Sequence, residues 1–245
     1  MTMRTMTPTP MPDIPGLSWS RYEFWIRQSL RNVDLRGMTV LDVGAGDGPF
    51  TCYMALQGAA HVVALEPELD GADAGPRAVL QDRLRRFGLT NVSCLRETLQ
   101  SFPPGVQRFD LILAHNVVNH LDEAAVVIMH RDAAARARFQ GLIRRLFDLL
   151  KPGGLLVMAD CARANLFGSL GLRHPLAPSI EWHKHQNPSV WMALLAAAGF
   201  DPPELHWTYP RRLRWAGALL DNRYAAFALE SHFVLHATRP RLAPA

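Results

Sequence analysis

Two rhythms of apolar residues alternate along this chain, and their alternation predicts its architecture. Short β-rich runs at 39–43, 61–65, 92–95, 109–114 and 155–159 have the length and the Val, Ile and Leu content of buried strands. Between them the spacing turns helical. It is clearest where Phe139, Leu142, Ile143, Leu146 and Phe147 fall at i, i+3, i+4, i+7 and i+8, before Lys151-Pro152-Gly153-Gly154 reads as a stop. Strands separated by helices imply parallel strands joined by crossovers. Another helix is expected from Asn187-Pro188, with Asn as cap and Pro in the first turn, to Gly199. Two more strand candidates, 205–209 and 232–238, close the chain. Ahead of the strands, Trp19, Tyr22, Phe24, Trp25, Ile26 and Leu30 mark an aromatic helix over 18–32, read either as a packing helix or as a lid over a ligand. The first sixteen residues carry four prolines and no periodicity, the composition of an extended arm.

Composition narrows the class. At 245 residues and 49% hydrophobic content the chain can bury one large core. No run of about 18 apolar residues occurs and the opening lacks a secretory apolar stretch, so a cytoplasmic protein without membrane association is expected. Cys52, Cys94 and Cys161 lie far apart without CxxC spacing, which predicts reduced, buried thiols rather than disulfides or a zinc site. The net charge of +4 is spread over helix faces, as at Arg83, Arg85, Arg86, Arg136, Arg144 and Arg145. Arg211, Arg212 and Arg214 are denser and adjoin Tyr209 and Trp215; a plain surface patch, an anionic substrate and a nucleic-acid backbone all fit there.

The chemistry is carried by Val40-Leu41-Asp42-Val43-Gly44-Ala45-Gly46-Asp47-Gly48, an apolar strand running into an acid and alternate glycines. Glycines permit a sharp turn and a close backbone approach to a ligand, and the next helix offers free N–H groups. Asp42 and Asp47 suit a cationic group better than a pyrophosphate, and Pro49 stands where a dinucleotide fingerprint needs glycine. Glu66 follows the next strand, where a carboxylate can accept both hydroxyl protons of a ribose.

With these residues in place the chain resembles the class I S-adenosylmethionine (SAM)-dependent methyltransferases from about Val40 onward. LDVGAGDG is similar to the first, cofactor-binding motif, ALEPE to the second, RFDLILAHNVVNHLDE to the fourth-strand motif, and LLKPGGLLVMAD to the turn into the fifth strand. The resemblance implies an α/β, Rossmann-like three-layer sandwich. Its seven-stranded, mostly parallel sheet has order 3-2-1-4-5-7-6 with the last strand antiparallel, and helical cap elements precede it and follow strand 5. It implies an arm and lid helix over 1–36, a methyltransferase domain over 37–245, and a cap insertion at 161–187. The implied cofactor set is Asp42, Gly44, Ala45, Gly46, Asp47, Glu66 and Pro67, with Glu97 or Thr98 near the adenine and His115 or Asn116 near the methionine part. The implied activity is transfer of the methyl group of SAM, leaving S-adenosylhomocysteine.

A sulfonium methyl is already activated, so the enzyme must align the partners, exclude water and remove the acceptor's proton. Ligands of open α/β sheets sit beyond the carboxyl ends of the strands, which selects His115, Asn116, His120, Asp160 and the segment Glu181-Trp182-His183-Lys184-His185-Gln186. His120, His183 and His185 are the candidate bases. If the segment is extended, Glu181, His183 and His185 share a face; if helical, only Glu181 and His185 do. A substrate pocket with a base, a structural lid and a metal site with Asp160 or His174 as a further ligand are the three readings, and no metal is assigned. Trp182, Trp191, Trp207 and Trp215 are candidate pocket walls, and 166–172 a candidate cover. A small-molecule acceptor is expected, with a mild preference for oxygen. No NPPY motif, Pro-Cys nucleophile or long basic stripe speaks for nucleic acid. An RNA or protein methyltransferase and a non-catalytic SAM-binding partner are the alternatives, and a homodimer stays open.

Overall fold

The computed structural model describes residues 19–67, 75–105, 107–175, 177–178 and 180–241; the arm expected over the first sixteen lies outside them. Among the described residues seven strands form one sheet: β1 (Thr39–Val43), β2 (His61–Leu65), β3 (Val92–Leu95), β4 (Phe109–His115), β5 (Leu150–Cys161), β6 (Glu204–Trp207) and β7 (His232–Thr238). Their order is β3-β2-β1-β4-β5-β7-β6. The first five pair in parallel, and β7 runs antiparallel to β5 and β6. This is the Rossmann-like order that the resemblance implied.

Side chains of a strand alternate between faces, and here each face carries its own core. Leu41, Val43, Ile112, Leu156 and Met158 pack beneath α4 (Glu123–Ile128), α5 (Ala133–Leu149) and α7 (Pro188–Ala198), which contribute Val126, Phe139, Ile143 and Trp191. Val40, Leu111, Leu113 and Val157 point the other way, against α1 (Trp19–Ser29) and α2 (Pro49–Leu56). Beside them α3 (Pro76–Arg86) buries Leu80 and Leu84. The aromatic helix therefore belongs to one outer layer of the sandwich, with Trp19 and Ile26 in its core.

Helix ends follow local chemistry. The Asp132 carboxylate accepts from Ala135 N–H at 2.7 Å to start α5. Gly199, at φ 98°, ends α7 in the left-handed region. Three expectations need correction. Asn187 does not cap α7 through its side chain; its Oδ1 accepts instead from Ala164 N–H at 3.0 Å, tying the cap to the helix start. Strand β5 begins at Leu150 rather than 155, because Phe109 pairs with Leu150 across a register shift and draws the Lys-Pro-Gly-Gly turn into the strand. Cys94 is only half-buried, although Cys52 and Cys161 are buried. No helix among the described residues is long and apolar enough to cross a membrane.

Candidate active site

Directly after β1 the backbone enters the left-handed region at Gly44 (φ 67°) and Gly46 (φ 58°), which glycine adopts without steric penalty. A Cβ on Gly44 would also drive into the Val117 side chain. The turn is tied to the end of β2 by two bonds: Ala45 N–H to the Leu65 carbonyl at 3.0 Å, and Gly46 N–H to Glu66 Oε2 at 2.6 Å. The glycine turn and the acid after β2 are thus one structure. Above it opens a cavity of about 490 Å³ walled by Asp42, Gly44, Gly46, Phe50, His115 and Asn116. Tyr22 and Trp25 of α1 line it as well.

Its electrostatics differ from residue to residue. Asp42 is buried on the α2 face, where burial pushes its carboxyl up to about 7; the Thr51 hydroxyl, donating at 2.5 Å, pulls the other way, and Glu66 adds to the rise. Burial also raises Glu66, against the Gly46 N–H bond that favours its charge. Asp47 lines the cavity too, but its carboxylate pairs with Arg83 at 2.8 Å. The two aspartates are therefore not equivalent: Asp47 already has a cation, and Asp42 has none among the described residues.

On the same face of the sheet His115 follows Leu111 and Leu113 by the strand period, and its ring lies 4.2 Å from Phe50. Burial lowers its pKa to about 4, and its buried Nε2 has no hydrogen-bond partner among the described residues. Asn116, at φ 53°, occupies the left-handed conformation that Asn tolerates better than most residues, with its N–H on the Ala159 carbonyl at 2.8 Å. Its Oδ1 meets His232 Nε2 at 2.9 Å, and His232 Nδ1 meets the Thr208 hydroxyl at 2.8 Å. Burial, reinforced by His115 and His185, lowers His232 to about 3. Two neutral imidazoles, 5.8 Å apart, thus form one wall.

Sequence reasoning read 232–238 only as a closing strand. Because β7 is antiparallel, its first residue arrives at the edge where the parallel strands end, and His232 enters the site with it. A histidine opening the last strand was the available signal. Phe50, Cys161 and Glu230 were also missed as lining residues.

The remaining candidates are dispersed. Glu97 accepts from the Ser101 hydroxyl, the Thr98 amide donates to Ser101 Oγ at 2.9 Å, and neither lines the cavity; Pro67 is half-buried beside Glu66. His120 is exposed and bonded to Glu123 at 2.7 Å, and His183 is exposed. His185 is largely buried, with Nδ1 2.9 Å from Oδ1 of Asp160, the residue before Cys161 of the cavity wall; like His120 and His183, it does not itself line the cavity. Burial raises the Asp160 carboxyl, opposed by its bond to His185. The segment is neither extended nor α-helical: residues Trp182–Lys184 form a 3-10 turn. With about three residues per turn, Glu181 meets Lys184 (2.8 Å) and Trp182 faces His185, so Glu181, His183 and His185 share no face. His174 bonds the Leu229 carbonyl, and no cluster of three or more metal-ligating side chains occurs among the described residues. Of the four candidate tryptophans none lines the cavity: Trp191 is core, Trp182 lies tilted against His174 in the cap, Trp207 walls a second cavity and Trp215 is exposed. The segment 166–172 holds a one-turn helix, α6 (Leu166–Ser169), capped by Asn165.

Comparison with known proteins gives the following. A family model described as a methyltransferase domain matches residues 19–205. An uncharacterized methyltransferase of Mycobacteroides abscessus is 28% identical over 170 residues, 66% of this chain and 56% of that protein. A tRNA U34 carboxymethyltransferase of Desulfotalea psychrophila is 25% identical over 140 residues, 57% of this chain and 38% of that protein. The chain thus spans about half or less of these curated relatives. A Listeria monocytogenes structure described as an S-adenosylmethionine dependent methyltransferase superposes with TM-score 0.63 at 14% identity, covering 92% of this chain and 100% of that one, a likeness of fold.

Proposed function

The chain belongs to the methyltransferase-domain family, and from that premise we propose that it methylates a hydroxyl group of a small molecule, with His185 removing the acceptor's proton. The observation that carries this reading is the bond between Gly46 N–H and Glu66 Oε2, which joins the glycine turn to the carboxylate suited to a ribose. The residues fit SAM, the family's cofactor: a glycine turn in the left-handed region, a buried acid at Asp42 with no cation among the described residues, and an imidazole nitrogen at His115 orphaned among them. When bound, SAM supplies a methyl group already activated on a sulfonium.

Each side chain then has a distinct task. Asp42, once ionised, offers the charge that a cationic ligand requires. Glu66 keeps Oε1 for the ribose hydroxyls while Oε2 holds the turn. Phe50, Tyr22 and Trp25 exclude water with apolar rings. Asp160 fixes the His185 ring through Nδ1 and leaves Nε2 to take a proton, the arrangement of a base with its orienting carboxylate. His115 and His232, kept neutral by burial, add no positive charge beside a cationic methyl donor.

Calorimetric titration tests the cofactor half. SAM and S-adenosylhomocysteine should bind and NAD should not, and Glu66→Ala should weaken SAM by about 1.5–3 kcal/mol, the worth of a hydrogen bond to a charged group. Unchanged affinity in that variant removes Glu66 from the site. For the acceptor half, His185→Ala should lower turnover on a hydroxyl acceptor while SAM affinity holds, and full turnover assigns the base elsewhere. The match to a tRNA-modifying relative favours RNA as the second reading. Methyl incorporation into total tRNA, with none into small hydroxylated molecules, would establish that reading in place of the first.

A further inference from the structure

We propose that the 3-10 segment Arg211–Leu219 is a docking surface for an anionic lipid bilayer. It presents two large apolar side chains to solvent, Trp215 at 81% and Leu219 at 80% exposure, and neither serves the core. Isolated exposed leucines need no explanation, but here the chain kinks at Gly217, and the residues on either side of that bend, Trp215 and Leu219, are both bare and follow three arginines closely in sequence. Arg211, Arg212 and Arg214 precede them, and no acidic residue occurs between Glu204 and Asp221. Asp221 is itself occupied, pairing with Arg31 at 3.0 Å and accepting from Trp207 N–H at 3.0 Å. The patch is therefore cationic.

The chemistry matches a headgroup layer: guanidiniums for lipid phosphates, an indole for the interface and a leucine for the first acyl carbons. An RNA groove would combine basic residues with a stacking surface along a longer track, and an aliphatic Leu219 has no role there. The absence of a spanning helix among the described residues is no obstacle, because such a segment lies on a bilayer. Its place in the fold gives the contact a consequence. Tyr209, just before the segment, packs on Phe24 of α1 at 5.7 Å, and α1 carries Tyr22 and Trp25 over the cavity. Docking would bring that helix and the cavity to the lipid interface, where apolar acceptors concentrate.

Vesicle co-sedimentation of the full chain tests this, with phosphatidylcholine alone against phosphatidylcholine containing about a third phosphatidylglycerol, at low and physiological salt. The expected result is binding to the anionic vesicles only, weakened by salt. Arg212→Gln with Arg214→Gln should reduce partitioning about fivefold per arginine, and Trp215→Ser with Leu219→Ser should abolish it. All four side chains are exposed or outside the core, and SAM affinity measured in the same variants should stay at the parent value. Equal binding to neutral vesicles, or indifference to both pairs of substitutions, overturns the proposal. So does tRNA binding without vesicle binding, or a dimer that dissociates when Trp215 is replaced and ignores vesicles.

Discussion

At the scale of single residues, Asp42 gives the sharpest prediction. Its folded-state pKa of about 7 lies far above the ordinary 3.8, so the neutral form is favoured on folding. The stability this contributes is complete below pH about 4 and disappears as pH rises through 7. A cationic ligand needs the opposite, ionised form. SAM affinity should therefore rise by up to about tenfold between pH 6 and pH 8 with release of a proton, and Asp42→Asn should flatten the dependence. Calorimetry in two buffers of different ionisation enthalpy reads the proton directly; identical pH profiles for both proteins would take Asp42 out of the binding step. The turn of Asp42, Gly44 and Gly46 was legible in the sequence because neighbours on the chain supply its geometry, and Glu66, 20 residues from Gly46, was legible as the acid that follows the next strand. The partnership of Asp47 with Arg83, and of His232 with Asn116, depends on segments 36 and 116 residues apart, and no local spacing encodes either.

At the scale of elements, legibility followed period and length. β1, β2, β3 and β7 stand where short β-rich runs predicted them, and α5 follows its five apolar positions. The cap resisted because it is short: a 3-10 turn of three residues has no period to detect, and its contacts from Glu181 to Lys184 and Trp182 to His185 come from three-residue turns rather than the 2- or 3.6-residue rhythms. Asn187 shows a related ambiguity, since the same amide that can cap a helix bonds a distant backbone instead. Asp132 is the contrasting case, a cap within its own chain segment. Asp132→Ala should lower stability by about 1 kcal/mol, typical for a lost N-cap, and leave SAM affinity unchanged because α5 lies on the face away from the cavity. Urea denaturation with parallel SAM titration measures both, and a shift in affinity would show that α5 reports on the site.

For the whole molecule, a sheet with a separate core on each face makes folding strength and ligand binding separable quantities. Trp191 is fully buried against Phe139 at 5.5 Å, on the face opposite α1 and α2. Trp191→Ala should destabilise by about 3–5 kcal/mol, toward the lower end because the indole N–H is buried without a partner among the described residues and its loss leaves no further polar group unsatisfied. Binding of SAM at a hundred times its dissociation constant returns about 2.7 kcal/mol by mass action. Trp191 belongs to the core of the opposite face and does not line the cavity, so the two effects should add. Saturating SAM should then raise the melting temperature of parent and variant by similar increments, yet leave the liganded variant at or below the unliganded parent. Thermal scans of the four states decide it. A ligand increment much smaller in the variant would mean that the α7 face and the cavity form one cooperative unit, with the cap that joins Asn187 to Ala164 as its connection.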